Sequence, residues 1–179
     1  MDAIVRGQGE LTLVELAHRL AEGLGLHGVR GLSFKDEDGI HHEPERPVAN
    51  INDLPAPAYH LANVDVYASV TGVRQLAYAS SVGCPYACNY CTDMVFYKPR
   101  FNAYRADRVV SDLAELVPRY GIEEVALLDS NFQVDIKRAV AIARGIVASG
   151  IKFRWDFQAS TDFVARMSEN DVGLRVRVA

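Results

Sequence analysis

The chain has 179 residues, 49% hydrophobic and 23% charged, which fits one globular domain or two small ones and excludes a disordered tail or a collagen-like fibre. A formal net charge of −4 with a pI near 5.7 argues against a broad nucleic-acid-binding surface, and no apolar run approaches the ~18–20 residues of a membrane span. There are three cysteines, an odd number that disulfides cannot consume, and all lie within Cys84–Cys91.

In chain order, Asp2 to Arg6 reads as a short strand. Thr12 precedes an apolar series at Leu13, Leu16, Ala17, Leu20 and Leu24 with helical spacing. Thr12 and Glu15 have the spacing of a capping box, which predicts a helix start there. Val29 to Lys35 predicts a strand, and Asp36 to Gly39 is turn chemistry before a short return strand. Pro44, Pro47, Pro55 and Pro57 then break regular structure and predict a linker. Beyond it strand and helix alternate. Gln75 to Ser80 predicts a strand running straight into the cysteines. Asp107 to Tyr120 predicts a helix stopped by Gly121. Val125 to Leu128 predicts a strand buried on both faces, and Asp135 to Ser149 a second helix ended by Gly150. Ile151 to Gln158 alternates apolar and polar residues, and a third helix is expected from Thr161. Successive βα units imply a parallel sheet with right-handed crossovers.

Cys84, Cys88 and Cys91 have the spacing C-x3-C-x2-C. Thiolates this close can wrap one metal centre, because short loops keep the entropy of convergence small. Structural zinc would want a fourth protein ligand, and His18, His27, His41, His42 and His60 all stand outside ligand-motif spacing of the loop. A cubane iron–sulfur cluster held by three cysteines leaves one iron open to an exogenous ligand. Cluster, zinc site and three incidental buried thiols are the alternatives the spacing leaves.

The motif, with Tyr90 before the last cysteine, resembles the signature of the radical S-adenosylmethionine (SAM) superfamily. The resemblance implies a [4Fe-4S] cluster on Cys84, Cys88 and Cys91, SAM on its open iron, and Tyr90 near the adenine. It also implies an α/β fold: a partial (β/α) barrel of about three βα units. Asp129-Ser-Asn-Phe132 resembles the acidic Asp-x-Asn-Phe variants found after the second barrel strand in cobalamin-binding members, where SAM's amino group is held. Either Asp129 or Asn131 makes that contact, or one of them caps the next helix. Lys152 to Gln158 resembles the third barrel strand, with Trp155, Gln158 and Asp162 at recurrent positions. Arg154, Asp156 and Gln158 would face the lumen, and Gln158 lies nearest the strand end where ligands bind; a solvated polar face on an edge strand is the other reading.

The first part, with Gly7-Gln-Gly-Glu10 and Leu54-Pro-Ala-Pro57, resembles the end of a Rossmann-like cobalamin-binding domain and its linker. The expected division is 1–43 for a remnant of that domain, 44–70 for the linker and 71–179 for the first half of a radical SAM barrel. Cobalamin is a cofactor of the family, but its Asp-x-His-x-x-Gly loop has no counterpart here, and Gln8 departs from the family's Gly-Glu-Gly-Glu. The chain is expected to be a fragment or one part of a split protein with a complementing chain. The implied function is reductive cleavage of SAM to a 5′-deoxyadenosyl radical, for hydrogen abstraction or methyl transfer on a small-molecule or lipid-like substrate, with a flavodoxin- or ferredoxin-like electron donor. The alternatives are a non-catalytic iron–sulfur-binding fragment or partner module, and a structural zinc-binding module. A cluster with an open iron implies a reducing compartment, the cytoplasm.

Overall fold

A computed structural model describes residues 2–160, so the helix expected from Thr161, and Asp162 with it, lie outside the described residues. The chain divides into two compact units, Met1–Asn50 and the chain from Ile51 onward. Together they form an α/β protein with one antiparallel and one parallel main sheet.

In the first unit β1 (Ala3–Val5), β2 (Leu32–Asp36) and β3 (Gly39–His42) pair antiparallel in sequence order. Their core is Val29, Leu32 and Phe34, with Leu16 and Leu26 packed against it. Helix α1 spans Glu10–Ala21 and starts ahead of Thr12, with Gly9 at its N-cap and no side-chain cap. The capping box expected at Thr12 and Glu15 is therefore absent. Thr12 is buried instead, its Oγ1 donating to the Arg30 carbonyl and accepting from Arg46 Nε, both at 2.9 Å; Glu15 is drawn to Arg46 and Arg19. Helical spacing was legible here but not the packed face: Leu13, Leu20 and Leu24 are exposed.

The second unit begins with packing. Ile51 and Val64 are buried in its core, and a helix the prolines gave no hint of, α2 (Val64–Thr71), is capped by Asn63 accepting from Val66 N at 3.2 Å. The stretch expected as linker thus carries a helix and core residues. Three parallel strands follow in the order β4 (Gln75–Tyr78), β7 (Glu124–Leu127) and β8 (Arg154–Phe157). Between β4 and β7 come the short antiparallel pair β5 (Ser81–Val82) and β6 (Asn102–Ala103), helix α3 (Asp93–Phe96) and helix α4 (Ala106–Tyr120). Helix α5 (Ile136–Ser149) joins β7 to β8 and opens with Asp135, whose carboxylate accepts from Arg138 N at 3.0 Å.

Val109, Leu113, Leu116 and Val117 of α4 and Ala139, Ile142 and Ile146 of α5 share one core with Leu76, Tyr78, Val125 and Leu127. Both crossover helices thus cover the same face of the sheet. Gly145 allows α5 close to α4, since a Cβ there would stand 2.6 Å from Val110 Cγ2. The expectation that the second strand is buried on both faces fails: Val125 and Leu127 are buried, while Leu128 is 63% exposed. The uncovered face carries a polar rung in register, Gln75, Glu124 and Arg154. Gln75 Nε2 donates to Glu124 at 2.5 Å, and Arg154 pairs with the same carboxylate at 3.3 Å. Trp155 and Phe157 pack toward the helices against Phe132, leaving Arg154, Asp156 and Gln158 exposed on the other side, as the alternation predicted. Among the described residues no helix is long and apolar enough to cross a membrane.

Candidate functional site

The cysteines follow the carboxyl end of β4, the end at which parallel α/β sheets bind ligands. Their loop has a tied stem. Ser81 and Val82 pair with Ala103 and Asn102, and Tyr104 N donates to the Ser80 carbonyl at 2.9 Å. Gly83 closes the stem at φ +75°, with the Arg100 carbonyl 2.4 Å and Tyr97 Cβ 3.0 Å from where a Cβ would sit. Only glycine accepts both that backbone conformation and that approach. Beyond the stem the thiols are free, Cys84 and Cys91 half-buried and Cys88 exposed; Tyr90 is 87% exposed.

Beneath the stem lies a buried polar network that the sequence did not announce. Asp129, at the end of β7, is 1% exposed. Its carboxylate accepts from Ser80 N (2.6 Å), Ser80 Oγ (2.6 Å), Ser81 N (3.1 Å) and Ser81 Oγ (2.7 Å). Arg138 of α5 stands 3.9 Å from the same carboxylate. It donates through Nε to the Tyr104 carbonyl and through Nη2 to the Ser80 carbonyl and hydroxyl, all at 2.7 Å. Burial lowers the Arg138 pKa, and the Asp129 and Asp135 charges oppose that shift. A buried carboxylate and guanidinium are tolerated only with this density of partners. The network joins the ends of β4 and β7 to α5 and fixes where the cysteine loop begins.

Asn131 and Gln133, two and four residues beyond Asp129, are 6% and 5% exposed. Among the described residues, Asn131 Oδ1 and Gln133 Oε1 are buried acceptors without a hydrogen-bond partner. Gln133 Nε2 donates to the carbonyl and hydroxyl of Ser160. Buried acceptors are seldom left unpaired, so an orphan carbonyl at a strand end points to a donor supplied by a ligand. Neither Asp129 nor Asn131 caps the next helix; Asp135 does. The exposed Gln158 contributes its backbone carbonyl, which accepts from Phe132 N at 3.1 Å. The structure therefore brings Asp129, Asn131 and Gln158 to the same end of the sheet as the cysteine loop.

Sequence reasoning missed Ser80, Ser81, Gly83, Gln133 and Arg138. One signal was available: Arg138 falls on the helical stripe of Ala139, Ile142 and Ile146, where an unpaired arginine would be costly.

Among the described residues, the side chains whose metal-ligating atoms all lie within 4.8 Å of one another are His27, Asp36 and His41 in the first unit. The three thiols do not gather so closely.

No family model matches the chain. An uncharacterized methyltransferase of Pyrococcus horikoshii is 36% identical over 156 residues, covering 87% of this chain and 34% of that protein. The anaerobic magnesium-protoporphyrin IX monomethyl ester cyclase of Cereibacter sphaeroides is 28% identical over 177 residues, 94% of this chain and 28% of its own length. The cytidylyl-2-hydroxyethylphosphonate methyltransferase of Streptomyces wedmorensis is 24% identical over 181 residues, 84% and 34% of the two chains. The chain thus spans about a third or less of the length of these relatives. Among solved structures, the cobalamin-dependent SAM radical enzyme OxsB with aqua-cobalamin and SAM bound matches 95% of this chain and 25% of its own, at TM-score 0.70 and 24% identity. The radical SAM methyltransferase TsrM from Kitasatospora setae, bound to tryptophan and a SAM analogue, matches 82% of this chain and 29% of its own, at TM-score 0.65 and 24% identity. These two likenesses establish the fold.

Proposed function

Because the chain is a relative of the cobalamin-type radical SAM proteins, we propose that its second unit binds a [4Fe-4S] cluster on Cys84, Cys88 and Cys91 and SAM beside it. When bound, the cluster with SAM supplies reductive cleavage of the sulfonium to a 5′-deoxyadenosyl radical. The residues present fit that pair of groups. Three thiols rise from a loop with a fixed stem at the ligand-binding end of the sheet. A single zinc ion at about 2.3 Å from each sulfur would need the thiols drawn close together, whereas a cubane holds its ligands further apart, and these three thiols do not all lie within 4.8 Å of one another.

The observation that carries the reading is the unpartnered Asn131 Oδ1, buried at the same strand end as the loop. An ammonium is a donor that such a carbonyl takes in a strong, charge-assisted hydrogen bond. Asp129 cannot serve, since its oxygens are occupied by four donors from Ser80 and Ser81. Asn131 is thus assigned the SAM amino group, and Asp129 the task of holding the loop's foundation. In this reading Tyr90, on the rim, covers the adenine, and Gln158, just past β8, borders the lumen. The first unit corresponds in this reading to the end of a cobalamin-binding domain. The whole reaction is methyl transfer or hydrogen abstraction on a small organic molecule, in a reducing compartment with a small electron-transfer protein as donor.

Anaerobic reconstitution with iron and sulfide, followed by SAM and dithionite, tests this. A cluster signal in EPR that SAM perturbs, followed by release of 5′-deoxyadenosine, is the expected result. A cluster that SAM leaves unperturbed reduces the chain to an iron–sulfur module, and zinc retained in its place refutes both. Asn131→Ala should weaken SAM binding about tenfold or more, as removal of a hydrogen bond to a charged group does, with cluster content unchanged.

A further inference from the structure

The five histidines play no part in the cysteine loop, yet two of them meet in the first unit. His27 lies in the turn after α1, Asp36 ends β2, and His41 sits in β3. His41 Nε2 is 2.8 Å from Asp36 Oδ1, and His27 Nε2 is 3.5 Å from Asp36 Oδ2. All three donor atoms fall within 4.8 Å of one another. We propose that His27, Asp36 and His41 bind one divalent transition-metal ion of the zinc class, with Glu43 holding the His27 ring from behind. This site is independent of the cluster reading.

The geometry suits such an ion. Bonds of ~2.0–2.1 Å to nitrogen and oxygen in a tetrahedron set neighbouring donors roughly 3.2–3.5 Å apart; His27 and Asp36 stand at 3.5 Å, within that span, and His41 and Asp36, hydrogen-bonded at 2.8 Å, would open slightly around an ion. His27 has a carboxylate on each side. Glu43 Oε1 is 3.4 Å from Nδ1, and Asp36 is 3.5 Å from Nε2, both longer than the 2.7–2.9 Å of a direct charge-assisted bond. Glu43 is placed as the outer carboxylate that turns a ligating imidazole toward its metal. Both rings are held before any ion arrives. They pack on the buried Phe34, with centroids 5.0 Å away in each case, His41 stacked and His27 edge-on, and they stand 4.6 Å from each other. Asp36 is fixed as well, its Oδ1 accepting from Asp38 N at 2.9 Å. Two imidazoles and one carboxylate select zinc, nickel or copper over magnesium and calcium, and water would complete the shell. A bound ion would staple the turn after α1 to the β2–β3 hairpin.

The test uses the full-length chain carrying Cys84→Ala, Cys88→Ala and Cys91→Ala, so that thiolates do not compete, titrated with cobalt and then zinc. One cobalt per chain should give visible d–d bands without thiolate charge transfer, and zinc should displace it. His27→Ala and His41→Ala should each weaken zinc binding by roughly tenfold or more, and Glu43→Gln by about tenfold with one ion per chain retained. Equal zinc affinity after His27 and His41 are both replaced overturns the proposal, as does magnesium binding as tightly as zinc. Long-range proton–nitrogen NMR of the unsubstituted histidines gives a second readout. Zinc should shift the ring nitrogens of His27 and His41, and shifts confined to His18, His42 or His60 would refute the site.

Discussion

Ser80 and Ser81 and the cysteines that follow them within a few residues have opposite surroundings. The serines are 0% and 2% exposed, locked by Asp129 and Arg138, whereas Cys88 and Tyr90 stand in the open. The difference shows how a loop can be both placed and receptive. A buried network sets the origin and direction of the chain, while the exposed residues beyond it, the proposed ligands, make few commitments of their own. On the proposed reading, order belongs to the base and chemistry to the rim. If so, substitutions in the base should cost folding free energy and those at the rim only binding.

The largest loss is expected at the base. Asp129→Ala leaves the Arg138 guanidinium buried without its carboxylate, which costs about 3–5 kcal/mol; urea unfolding of the cluster-free chain measures it. Arg138→Met in the same chain should recover part of that loss, giving a coupling of about 1–3 kcal/mol in a double-mutant cycle. Additive effects would show that the two residues do not act as a unit. Gly83→Ala comes next, at the boundary between the regions. It puts a Cβ against the Arg100 carbonyl at φ +75°, and strain there with overpacking amounts to about 2–4 kcal/mol. Iron bound after reconstitution should fall with it, since the stem can no longer close. Full iron content in Gly83→Ala would break the claim that the stem places the thiols.

The helix-covered side of the base yields a smaller effect with a pH signature. Tyr78 donates to Asp112 at 2.7 Å, and burial first, then that carboxylate, push its phenol well above the ordinary range. Tyr78→Phe should cost about 1–2 kcal/mol, because Asp112 keeps Arg108 3.8 Å away. The sign in alkali follows from linkage. The folded phenol's pKa is raised, so its contribution is complete below the unfolded value of about 10 and declines as pH rises past it. Wild type should therefore lose stability between pH 10 and 11 more steeply than Tyr78→Phe, and equal slopes would show that the phenol's environment is not what the burial implies.

The same division separates what was legible in the sequence from what was not. The cysteine spacing, the strand before it and the helices α4 and α5 follow from local patterns, because period and capping residues are written in consecutive positions. Asp129 and Asn131 were found as a pair, but the role of Asp129 depends on Ser80 and Ser81, 49 and 48 positions away, and on Arg138, whose bond to Ser80 spans 58 positions. No local pattern encodes such a meeting. The misplaced start of α1 has the same origin. Thr12 fits a cap by spacing, yet its hydroxyl is taken by Arg30 and Arg46, which only the folded hairpin brings near. Helix α2 was hidden by the prolines before it, and the one-sided burial of β7 depended on which face both crossover helices would choose.

The smallest folding effect is expected where the binding effect is greatest, at Cys88. Its thiol is exposed, so Cys88→Ala should change the stability of the cluster-free chain by no more than about 0.5 kcal/mol. A cluster gains its three-point anchor from all three thiolates, so the same substitution should abolish reconstituted cluster content, read by iron and sulfide analysis and by absorbance. Tyr90→Ala, equally neutral for folding, should keep the cluster and weaken SAM binding, separating the anchor from the cover over the adenine. The pairing of results is what matters. A Cys88→Ala chain that unfolds more easily would place the cysteine in the base rather than on the rim. One that keeps its stability and its iron would leave the loop without the role its spacing assigns. Neutral folding with lost iron, set against Asp129→Ala with its large folding penalty, would show that foundation and chemistry are separable over the eight positions from Ser80 to Cys88.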